Sequence, residues 1–211
     1  MCKKVHFTVF ILILALVGCQ TTGVDKADKT VQAMDKQFAT IKNASDLITA
    51  ATNSLNELVE EGGDMKVEFK AFDKDVKNLI SLRDRFRKLE NNINSSKSAF
   101  TDDWAERQLT IENDELRNRS IERRAEVIAE FDEVNNLIAE TKEKFEPWLQ
   151  KVIDVRTYLE NDLNPNGVDS IKDVAPRITK DAKPVKSRID KLIIELDKLS
   201  NAMTATKLPE S

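Results

Sequence analysis

The 211 residues leave room for one or two domains, and a third of them are charged, 33 basic against 37 acidic, for a formal charge of -4. That acidic balance argues against nucleic-acid binding, which needs a basic face to meet phosphates. Two cysteines and a single histidine leave little material for thiol or metal chemistry.

The N-terminus changes this inventory. Lys3 and Lys4 form a short basic region, and Phe7 to Val17 is an apolar run too short to span a membrane comfortably. It ends in Leu16-Val17-Gly18-Cys19, which closely resembles the lipobox of bacterial lipoproteins. The resemblance implies a signal peptide over residues 1–18, cleavage before Cys19, diacylglycerol and N-acyl lipid on that cysteine, and export. The alternative is a plain secretory signal with a chance cysteine. An Asp after the cysteine would suggest inner-membrane retention in enterobacteria, and Gln20 stands there instead. The expected location is therefore the cell envelope, with the outer membrane facing the periplasm favoured.

Maturation would remove Cys2, His6, Lys3 and Lys4, leaving 31 basic residues against 37 acidic ones and a charge of -6. The only remaining cysteine would carry lipid, so neither a disulfide nor a thiol nucleophile is expected. Residues 19–23 read as a tether, 24–205 as the folded domain and 206–211 as a frayed tail.

Glycines mark the turns of the domain, because a helix interior disfavours glycine by roughly 1 kcal/mol against alanine. The first helix is expected over Val24 to Glu61, with a seam of Val24, Ala27, Val31, Met34, Phe38, Ile41, Ile48, Leu55 and Val59. Steps of four and three keep these residues on one side of a helix. Gly62-Gly63-Asp64 then forms a turn, with Asp64 as the next N-cap.

The second helix carries Met65, Phe69, Phe72, Val76, Leu79, Leu82, Phe86, Leu89 and Ile93. Asn94 to Ser98 has the composition of a loop, yet Phe86, Ile93 and Phe100 stay seven apart. One helix to about Ile111 is the favoured reading, a break at 94–101 the alternative. The turn is placed at Glu112 to Glu115, with Asn113 or Asp114 capping the third helix.

The third helix holds the longest stripe: Val127, Phe131, Val134, Ile138, Phe145, Trp148, Val152, Val155 and Leu159, with only Thr141 polar in the series. Pro147 is expected to kink it without ending it, because the apolar rhythm continues. Asn164-Pro165-Asn166-Gly167 closes this helix. The fourth, Val168 to Met203, has Pro176 and Pro184 off its seam, where they are expected to bend or interrupt its first half.

No strand pattern is present, so the fold class is all-α: an elongated antiparallel bundle of about four long helices with coiled-coil-like packing. At 1.5 Å per residue the outer helices reach roughly 55 Å and the central pair roughly 72 to 75 Å. The central hairpin is thus expected to protrude at the end where the first helix starts.

Gly62-Gly63-Asp64, Trp104, Asn113, Leu116-Arg117, Ser120, Glu146-Pro147, Leu149, Leu159, Asn161, Leu163 and Asn164 resemble, in order and spacing, the bacterial lipoproteins grouped as domain of unknown function 2959. The resemblance covers most of the mature chain. It implies the helical fold and the envelope location, and it transfers no catalytic residue.

No phosphate-binding loop, nucleophile elbow or Cys/His metal spacing follows the leader. Paired acids such as Asp102-Asp103 and Glu60-Glu61 read as a solvated face, because neighbouring positions on a helix point in different directions. Catalytic, cofactor and metal residues are therefore expected to be none, and an enzyme is not expected.

The one polar stretch that stands out is the predicted tip. Trp104, Arg107, Arg117, Arg119, Arg123 and Arg124 there could meet anionic lipid head groups or peptidoglycan carboxylates. The blander reading, a salt-bridged tip that keeps the bundle soluble, is favoured.

Three functions compete. The first is a non-enzymatic envelope lipoprotein, anchored in the membrane, that binds an envelope protein or itself. The second is a periplasmic carrier or chaperone of lipid or another apolar ligand, with a groove between the aromatic seams. The third, a carboxylate-dependent hydrolase of cell-wall glycans, has least in its favour.

Overall fold

The computed structural model of the chain describes residues 23–60 and 62–203, with side chains from residue 28 onward within that range. The expected leader, Cys19, most of the tether, the side chains of Val24 and Ala27, and the tail lie outside the described residues. Six helices follow one another: α1 (Gly23–Ala39), α2 (Ala44–Val59), α3 (Met65–Gln108), α4 (Asp114–Asn161), α5 (Pro165–Asp169) and α6 (Val174–Met203). No strand occurs among the described residues.

These helices stand in four columns. Column one is α1 with α2, column two α3, column three α4, and column four α5 with α6. Each column packs on its two chain neighbours, and the first also packs on the fourth, while the diagonal pairs stay apart. The result is an antiparallel four-column bundle whose core is the set of expected seams turned inward. From Val127 to Leu159 every stripe residue is buried, Thr141 included. Phe86 and Phe145 meet edge to face across α3 and α4, their ring centres 5.5 Å apart.

The second column is one helix throughout, and residues 94–101 are helical. Its seam keeps phase there, so unwinding would have cost buried contacts at Ile93 and Thr101. The turn to α4 spans 109–113, where the Asn113 side chain accepts from the Leu116 N–H at 3.0 Å. Asp64 caps α3 in the same way, accepting from Lys66 and Val67. Gly62 in the preceding turn has φ +97°, a backbone setting that favours glycine. Helix α4 runs through Pro147 to Asn161 without a stop.

One expectation needs correction. The first column is not one helix: it breaks at 40–43. The buried residues Phe38, Ile41 and Ala44 lie at two consecutive steps of three, which overwinds a helix that the four-and-three rhythm holds together. The chain answers with tight three-residue bonds, Ile41 N–H to Phe38 and Ala44 N–H to Ile41. Arg85 of α3 then donates to the freed Thr40 carbonyl at 2.6 Å. Burial draws the Arg85 guanidinium below its usual pKa.

The fourth column is also broken, at 170–173, although its seam never loses rhythm. Pro176 explains this, since it has no N–H and would crowd the Lys172 carbonyl in a continuous helix. Starting α6 at Val174 puts Pro176 in the first turn, where no intrahelical acceptor is required. Pro184 is carried inside α6 without a second break.

The hairpin protrudes as expected beyond α6. Arg123 donates to the Ala202 carbonyl at 3.1 Å, so α6 ends beside residue 123 of α4. Helix α4 starts at Asp114, nine residues and roughly 13 Å further out. Helix α1 is less recessed than expected: Thr30 and Ala33 share a groove with Ser96 and Ala99, and the helix continues from there back to Gly23 in the direction of the tip.

Candidate functional site

The tip is built by the last turns of α3 and the first of α4. Phe100 and Trp104 pack edge to face at 5.6 Å. The Trp104 ring is half-buried against the core, and its indole N–H donates to Ser120 Oγ across the hairpin at 2.9 Å. Trp104 is therefore a clasp between the two helices. Beyond it, Leu109 N–H bonds to Glu106, Thr110 N–H to Arg107 and Ile111 N–H to Gln108, and the Thr110 hydroxyl also donates to the Arg107 carbonyl at 2.8 Å, which together end α3.

Four of the five tip arginines have a local acidic partner. Arg107 is held by Asp103 at 2.9 Å. Arg117 pairs with Asp114 and donates to the Ile111 carbonyl at 2.8 Å, fastening the turn. Arg119 pairs with Glu115, and Arg123 with Glu126 at 2.9 Å. Arg124 differs, in that its Nε is enclosed and has no acceptor. Pairs three or four residues apart on an exposed helix contribute only a few tenths of a kcal/mol each. Residues 102–126 hold five arginines against eight acids, so the tip is net acidic by three.

What the tip does offer is apolar surface. Leu109 is 77% exposed and Leu116 57%, the first ending α3 and the second in the first turn of α4. Ile121 is 41% exposed a little further along α4. Both leucines lie outside the buried seams of α3 and α4, and their exposure is set by packing and not by the local composition, which is dominated by charge.

The remaining polar groups stitch the columns together. Arg156 of α4 meets Asp73 of α3 at 2.5 Å, and Lys77 reaches the same carboxylate at 2.6 Å. Burial tends to raise the Asp73 pKa, but hydrogen bonds from Lys77 and Arg156 and their charges outweigh it and hold the group below the ordinary value of 3.8. Lys142 to Glu90 and Arg188 to Glu140 tie further neighbours. Asp102 is exposed, Glu60 is exposed, and Glu61 lies outside the described residues.

A shallow groove of about 280 Å³ lies between α4 and α6, lined by Pro147, Trp148, Pro184 and Val185 with Lys144 and Lys151 at its rim. Trp148 is buried beneath it and donates to the Ile178 carbonyl at 3.0 Å. Among the described residues, no group of His, Cys, Asp or Glu is arranged to hold a metal ion, and no helix is long and apolar enough to cross a membrane.

No curated protein and no solved structure matches the chain. The model of a family described as "Protein of unknown function (DUF2959)" matches residues 17–203, from the end of the expected leader to the last turn of α6. The turns, caps and four seams described above all lie inside that span, and the chain belongs to this family.

Proposed function

We propose that the protein is a lipid-anchored, non-enzymatic component of the bacterial envelope: a helical rod that is tethered through Cys19 and binds an envelope protein or a second copy of itself. One observation carries this reading. Leu16-Val17-Gly18-Cys19 precedes Gly23, the first residue of α1, by only four positions, so a lipid carried on that cysteine would be joined to the rod by a tether of at most about 14 Å. A short tether to a stiff body presents the long sides of that body to other envelope components. On this reading the rod faces the periplasm from the outer membrane, and no cofactor beyond the lipid on Cys19 enters.

The interlocked seams argue against the carrier reading, since Phe86 and Phe145 fill the space between α3 and α4 that a lipid would need, and Trp148 is buried between α4 and α6. Two measurements test the proposal. Metabolic labelling with a fatty acid should mark the wild-type chain and leave Cys19→Ala unlabelled and released from membranes. Cross-linking in intact envelopes should recover a partner or a dimer. An unlabelled wild-type chain would overturn the anchor, and a lone monomer in every cross-linked sample would overturn the binding role.

A further inference from the structure

The exposed leucines of the hairpin tip lie at the end of the bundle where the chain emerges from the N-terminus. Helix α1 runs antiparallel to α3, with Thr30 and Ala33 beside Ser96 and Ala99, so Gly23 is carried toward the α3 end that bears Leu109. Cys19 precedes Gly23 by four positions along the chain, a reach of at most about 14 Å. Acyl chains on Cys19 would therefore hold the bilayer surface within that distance of the bundle end. The turn at 109–113 projects roughly 13 Å past the end of α6, so nothing in column four shields it.

We infer that Leu109 and Leu116 seat in the boundary between head groups and acyl chains of the bilayer that carries the anchor, giving the rod a second membrane contact. The inference rests on the lipoprotein reading above. The occupant is lipid hydrocarbon and not anionic head groups, because four of the five tip arginines are paired with Asp103, Asp114, Glu115 and Glu126, the Nε of the fifth, Arg124, is enclosed, and the segment is net acidic. Two leucine side chains bury far less apolar surface than the acyl chains of the anchor, so the tip adds little to membrane affinity. The tip thus sets orientation: a rod held at two points cannot swivel freely about its tether.

The test uses the full lipidated chain with Thr110→Cys, an exposed position whose thiol is unique once Cys19 is acylated. An environment-sensitive fluorophore at residue 110 is read in vesicles of neutral phosphatidylethanolamine and phosphatidylcholine, with and without nitroxide-bearing lipids. The expected result is blue-shifted emission, quenched by the nitroxide, unchanged by added salt or by anionic lipid, and lost when Leu109→Gln and Leu116→Glu are combined. Both positions are exposed, and an unchanged helical circular dichroism spectrum shows that the variant is folded. Water-like emission in a chain with acylated Cys19 overturns the tip contact alone. A blue shift that follows protein density without lipid quenching assigns the tip to a second copy of the chain and also overturns it. Absence of the acyl group on Cys19 overturns the parent reading and this one together.

Discussion

Asp73 shows how a single carboxylate links pH to the stability of this bundle. Its pKa lies below 3.8 in the folded chain because Lys77 and Arg156 favour the charged form more than burial opposes it. A depressed carboxyl contributes stability that is present above the unfolded value and disappears as pH falls through the folded one. Wild type should therefore lose stability on acidification below about pH 3.8, partly through this group. Asp73→Asn should melt lower than wild type at neutral pH, with the difference shrinking as pH drops below that value. Thermal melts followed by circular dichroism across the acid range check this, and a gap that stays constant with pH would contradict it. Buried side chains were largely legible from spacing alone, as Phe86, Phe145, Trp148 and the whole Val168-to-Met203 series show. Partners such as Arg85 for the Thr40 carbonyl were not, because residues 45 positions apart meet only once the columns are packed.

The short turn element between α4 and α6 supplies a sharper structural test. Asn164 accepts from the N–H groups of Asn166 and Gly167, each at 3.0 Å, and α5 follows. A Cβ at residue 167 would stand 2.0 Å from the Asp162 carbonyl oxygen, an approach that only glycine permits. Gly167→Ala should destabilise the fold by about 1 kcal/mol or more, read as a lower urea midpoint with unchanged slope. A neutral substitution would mean that the turn relaxes freely. Helix breaks are the least legible feature at this scale. The break at 40–43 follows from two consecutive steps of three, Phe38 to Ile41 to Ala44, which are hard to see in the sequence because a small alanine does not stand out as a seam residue. The break at 170–173 follows from Pro176, recognised as a point of interruption but not as the start of a new helix.

The whole molecule is longer than a compact chain of its size. Helix α4 alone has 48 residues, roughly 72 Å at helical rise. Solution scattering should give a radius of gyration clearly above the roughly 16 Å of a compact domain of similar length. A value near that figure would contradict the extended bundle. The all-helical class and the four-column order were legible because each column needs a neighbour along its full length, and glycine and proline mark where columns end. The tip was legible only in outline. Its position came from helix lengths and its arginines from composition, but the apolar character of its outermost turn depends on which side chains packing leaves uncovered.

The facing prolines carry a mechanical consequence. Pro147 of α4 and Pro184 of α6 line one groove, so each of these adjoining columns lacks a backbone donor at the same height. Missing links in neighbouring struts define a transverse plane of lower bending stiffness, roughly two-thirds of the way along α4 from the hairpin tip. A force that tilts the far end of the rod should flex the shaft at that level first, leaving the clasped hairpin end straight.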